Sequence, residues 1–128
     1  MNYIITIIIF ISYIFPKCDG FNWYHDIDSN DCNKKDINVL QQFIYNSQKS
    51  INFEMDVNLD NIIQPLELGW QLWENDRLIH WICDDVPSPF YLYNYYCDLS
   101  GNIPENIYEL DSIIKLHLQN NKLEGIIP

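Results

Sequence analysis

Positive charge is what this chain has least of: 7 Lys and Arg stand against 18 Asp and Glu, a formal net charge of −11. That balance argues against nucleic acid and anionic membrane as partners and is compatible with a basic protein partner or simply with solubility. No apolar run approaches the roughly 20 residues that a bilayer-spanning helix needs; the longest, IITIIIFISYIF at 4–15, is too short. No cysteine pair has CxxC spacing, and His25, His80 and His117 share no metal-binding interval such as HExxH, so neither a redox nor a zinc motif is supported. A phosphate loop, a dinucleotide fingerprint and a nucleophile elbow are all missing. The acidic pairs Glu54/Asp56 and Asp84/Asp85 lie in no pattern that would hold two carboxylates around a cleft. The expectation is a non-enzyme with no cofactor and no metal. No Asn-x-Ser/Thr acceptor occurs, so N-glycosylation at that sequon is not expected.

The apolar run at 4–15 fits the core of a secretory leader. Cleavage after Gly20 would place Gly20 at −1 and Cys18 at −3, both small, whereas cleavage near Lys17 is a poorer pattern; the competing readings are a buried opening strand and a retained anchor. The leader reading predicts a secreted or extracellular protein.

Beyond the leader, Val39/Leu40, Phe43/Ile44 and Ser47 follow helical spacing, which predicts one amphipathic helix over 37–48 capped by Asp36. Residues 49–68 show no clear period, and Pro65 interrupts them. Trp70, Trp73, Trp81 and Cys83 form the next landmark, followed by an extended turn through Pro87 and Pro89. Aromatics make up 15% of the chain. Tyr91, Tyr93, Tyr95 and Tyr96 with the Trp cluster raise carbohydrate binding beside the plainer reading of core packing.

The most patterned stretch is 99–128, LSGNIPENIYELDSIIKLHLQNNKLEGIIP. Its opening LSGNIP returns as LEGIIP at the end. Between the copies, Leu116 and Leu118 alternate with Lys115, His117 and Gln119, the period of a strand. Asn121 sits where the chain must turn and can bond the turn backbone; Gly101 and Gly125 suit bends, and Pro104 and Pro128 stiffen the return. Ile107 and Leu110 would fill the core from the other side.

Residues 110–128 resemble the plant-type extracellular leucine-rich repeat, LxxLxxLxLxxNxLxGxIP. A weaker unit precedes it, with Leu92 at a leucine position and Cys97 at the Asn position. The resemblance implies an α/β fold: a short leucine-rich-repeat solenoid, a right-handed coil with a small parallel sheet, behind a mostly helical N-terminal cap. The boundaries it sets are 1–20 for the leader, 21–90 for the cap region and 91–128 for the repeats. It further implies non-catalytic recognition of a protein or peptide on the concave face through Lys115, His117, Gln119 and Asn120, as a free module or as a fragment of a larger repeat protein or receptor ectodomain. Inhibition of a secreted hydrolase is the other role found in that wider family. Structural roles fall to Cys32, Cys83, Cys97, Asn121, Gly101 and Gly125. The pattern stops at Pro128 where a third unit would begin, and solenoids generally need at least three. Self-association at an uncapped C-terminal end is therefore expected, driven by exposed Leu and Ile.

Four cysteines permit three complete pairings. If Cys18 leaves with the leader, one of the remaining three is free, and Cys97 at the ladder position is the candidate. Cys32–Cys83 would then staple the cap helix to the Trp segment; Cys83–Cys97 is the alternative.

Overall fold

The computed structural model describes residues 18–22, 27–84 and 96–128. A short strand β1 (Gly20–Phe21) leads to helix α1 (Lys34–Asn46), then to strands β2 (Trp70–Glu74) and β3 (Arg77–Ile82), and finally to β4 (Ser100–Asn102), β5 (Lys115–His117) and β6 (Lys122–Glu124). Single turns of 3-10 helix at Phe53–Met55, Pro65–Glu67 and Glu105–Glu109 fill the connections.

Helix α1 forms for the reason its spacing gives: Val39, Leu40, Phe43 and Ile44 lie on one face and are all buried. Its cap is not Asp36. Asn33 is the N-cap, its side chain accepting from the Lys35 N–H at 3.0 Å. Asp36 instead lies in the first turn, fully buried, and accepts two hydrogen bonds from the Arg77 guanidinium, each of 2.9 Å.

Strands β2 and β3 are a hairpin closed by Asn75 and Asp76, both with positive φ (51° and 64°). Two consecutive left-handed residues match the right-handed twist of the flanking strands, and Asn and Asp accept that conformation more readily than most residues. Alternation along β2 sends Gln71 and Trp73 inward. In β3 the register slips, with Trp73 opposite Leu78 but Leu72 opposite His80. The extra residue, Ile79, resets the alternation so that Leu78 and Trp81 both reach the core.

The core lies between α1 and this hairpin. Trp81 meets Phe43 edge-on, with centroids 4.9 Å apart. Trp73, Leu68 and Leu99 close around them. Gly69 packs beneath the hairpin with φ +69°; a Cβ there would come within 2.4 Å of the Ile82 carbonyl oxygen and 2.7 Å of the Cys83 sulfur. Backbone cannot yield at that distance, so Gly69→Ala is expected to lower the thermal midpoint by many degrees, whereas Gly20→Ala, whose Cβ meets nothing, should cost only its φ strain. Comparable midpoints for the two variants in a thermal melt would contradict this.

The described architecture corrects the expected solenoid. Among the described residues, one α-helix is joined to two small, open, uncurled sheets, with no repeated strand–helix unit and no concave repeat surface. One sheet runs β1-β2-β3-β5, antiparallel except for the parallel β3–β5 pair; the other is the parallel pair β4–β6. The recurrence of LSGNIP as LEGIIP yields that one strand pair, Ser100–Asn102 beside Lys122–Glu124, and does not propagate. Two framework positions that a repeat would bury are open: Leu116 is 36% exposed and Ile127 81%. Of the weaker unit, residues 89–95 with Tyr91, Tyr93 and Tyr95 lie outside the described residues, whereas Tyr96 and Cys97 lie within them.

The disulfides also differ from the favoured pairing. Cys18 bonds Cys32, and Cys83 bonds Cys97; no cysteine is free. Cys97 is therefore not a ladder thiol, and the Cys32–Cys83 staple does not exist. Each bridge closes a local loop with a sequence separation of 14.

Candidate functional site

Three places carry side chains or backbone that could do work. The first is the acidic loop. Oxygens of Asp56, Asp60 and Glu67 lie within 4.8 Å of one another, close enough to hold a cation. Each of their six oxygens is already engaged. Asp56 accepts from the N–H groups of Asp60 and Asn61. Asp60 accepts from the Ile62 N–H and the Gln64 amide, and Glu67 from the N–H groups of Gln64 and Val57. The Gln64 amide is the main reason the Asp60 carboxyl sits below its usual range. These groups pin a turn that carries Leu59 and Asn61 at positive φ, and their local work is structural.

The second place is the outer face of the four-stranded sheet. Phe21 packs on Trp70 at 5.1 Å, and Trp70 stacks on His80 at 6.1 Å. Register sets Lys115 beside His80 and His117 beside Ile82. Partial burial disfavours the His80 imidazolium, and Lys115 and His117 reinforce that against the opposing pull of Glu74, so its pKa falls below 6.5. The sign follows. As pH drops below 6.5, the unfolded chain takes up this proton before the folded one, so stability falls towards the folded value. His80→Gln should flatten the pH dependence of the urea midpoint below pH 6.5. An unchanged slope would exclude His80 as its source.

The third place is the end formed by β5 and β6. Each is the last strand of its sheet, and each is joined to its inner neighbour in parallel. Asn121, in the turn between them, is bonded to the residues that follow β3 and precede β4. Its Oδ1 accepts the Leu99 N–H at 2.8 Å, and its Nδ2 donates to the carbonyls of Cys83 and Leu118 at 2.7 and 2.9 Å. Lys122 pairs with Asp98 at 3.0 Å, which raises its pKa. Ile114 is 72% exposed and, with Leu116, Ile126 and Ile127, makes this end apolar.

The residues expected to contact a partner are gathered at this same end. Lys115 is exposed and His117 half-buried on β5. Gln119 and Asn120 lie in the following turn, where Asn120 has φ 60° and donates to Asp84 at 2.8 Å. Gly101 abuts the Asn46 carbonyl, and Gly125 abuts the Asn102 side chain; both have positive φ. Asp56 and Asp84 are buried, Glu54 is exposed, and His25 and Asp85 fall outside the described residues. Sequence reading missed the Asp36–Arg77 pair, for which the sequence carries no local signal. It also missed the hairpin, which the Asn75-Asp76 turn does signal.

Among the described residues no helix is long and apolar enough to cross a membrane. No protein family, curated protein or solved structure matches the chain, so the resemblance carried by 99–128 stays a local motif without the fold it implies.

Proposed function

We propose that the chain is a non-catalytic assembly unit that associates with a second copy of itself through the open edges of β5 and β6, in an oxidising, extracellular compartment. The observation that carries the reading is that, among the described residues, two strand edges without a partner strand coincide with four exposed apolar side chains on or beside those strands. Unpaired strand edges recruit further strands, and exposed apolar patches mark association sites. Lys115 and Lys122 are of the kind that guards an edge, yet Lys122 is drawn onto Asp98. A two-fold axis between two copies sets matching edges antiparallel, so the contact closes at a dimer and does not run on as a fibre. Two disulfides in a chain of this size support the oxidising compartment.

Sedimentation at graded concentration tests the association. The weight-average mass is expected to rise from monomer towards dimer. Because each copy carries −11, raising salt from about 0.01 to 0.15 M, which shortens the screening length from about 30 to 8 Å, should strengthen the dimer. Leu116→Lys combined with Ile126→Lys and Ile127→Lys should hold the chain monomeric with unchanged circular dichroism. A wild-type chain that stays monomeric at all concentrations and salts would sink the proposal.

A further inference from the structure

The first disulfide reaches back past the point where the sequence pattern sets leader cleavage. Cys18 is fully buried and bonded to Cys32. Its N–H donates to Asp76 Oδ1 at 2.9 Å, and its carbonyl accepts the Asp76 N–H at 3.1 Å. Asp19 Oδ1 accepts the Asn75 N–H, and Gly20 and Phe21 form β1 opposite Trp73 and Leu72. Asn22 completes the attachment, donating to the Leu66 and Gly69 carbonyls and accepting from the Gln71 N–H. Residues 18–22 are thus fastened to the β2–β3 hairpin along their whole length.

A cut after Gly20 removes three of these five residues. It leaves Cys32 as a lone buried thiol, takes the Cys18 N–H from Asp76 and halves β1. A leader is removed before the domain folds, so the fold does not shield the bond; the point is that the product of such a cut lacks atoms that the fold uses. We infer that the mature chain keeps Cys18 and that the leader is cut on its N-terminal side, leaving both disulfides intact. This rests on the secretory part of the reading above and is independent of the edge association.

The test is the intact mass of the chain secreted from eukaryotic cells expressing residues 1–128, alkylated with iodoacetamide without reduction. The expected species begins at or before Cys18, lacks the apolar run at 4–15 and carries no adduct. Cys18→Ala should leave the start unchanged and add one adduct, on Cys32. A mass beginning at Phe21 with one adduct overturns the inference while leaving secretion standing, as does a secreted chain that keeps its apolar run. An uncut chain held in the cells with four adducts overturns the secretory reading and the inference with it.

Discussion

Arg77→Met is expected to destabilise the fold by about 3–5 kcal/mol, the range found when one partner of a buried ion pair is removed. The Asp36 carboxylate is fully buried, and Arg77 reaches both of its oxygens. The Leu78 N–H at 2.9 Å is the one backbone donor that remains to it. The same guanidinium donates to the Glu109 carbonyl at 3.2 Å and pairs with Asp111, so it joins α1, β3 and the segment before β5. The carboxylates hold its pKa above the ordinary arginine range, with Asp36 the larger influence. Removing the cation leaves a buried anion with almost no solvation. The double variant Asp36→Leu/Arg77→Met should be less destabilised than Arg77→Met, because an apolar pair of similar volume carries no stranded charge. Urea unfolding of the four chains of this cycle measures it. A loss under about 1 kcal/mol for Arg77→Met would place the pair among ordinary surface bridges.

Trp81→Ala is the second large effect, about 3–5 kcal/mol for emptying an aromatic site in a packed core. The indole is fully buried, meets Phe43 edge-on and donates from Nε1 to the Leu68 carbonyl at 2.9 Å. Trp81→Phe separates these contributions. It keeps a ring against Phe43 and removes the donor. The Leu68 carbonyl still accepts from the Gln71 amide at 2.9 Å, so the loss from the missing bond should be near 1 kcal/mol. Equal losses for the two variants would mean that the hydrogen bond, and not the packing, holds this part of the core.

What the sequence made legible here was local. The spacing of Val39, Leu40, Phe43 and Ile44 marked α1 within a few residues, because a helix face is written at intervals of three and four. Alternation around Leu116 marked β5, and the Asn121 amide donates to the Leu118 carbonyl of the turn that follows it. Asp36 was misread because a carboxylate beside a helix start fits a cap as well as a buried partner, and Arg77, which decides between them, is 41 residues away. Of the two pairings considered, the alternative Cys83–Cys97 forms and the favoured Cys32–Cys83 does not, for a similar reason: pairing is a matter of distance in space, and four residues in a line carry no distances. The leucine pattern failed differently. Its positions imply burial only where a further layer covers them, and Leu116 and Ile127 lie uncovered on the described structure.

The Cys83–Cys97 bridge has one more consequence. The peptide between its ends, 84–96, is a covalent bypass. A protease that severs any one bond within it yields two fragments that still travel as one molecule, with β3 on one side and β4 on the other held by the sulfurs. Such a clip is invisible on a non-reducing gel and appears as two bands once thiol is added. A chain nicked there stays one covalent molecule until the bridge is reduced, so separating its two pieces takes a reductant as well as a protease.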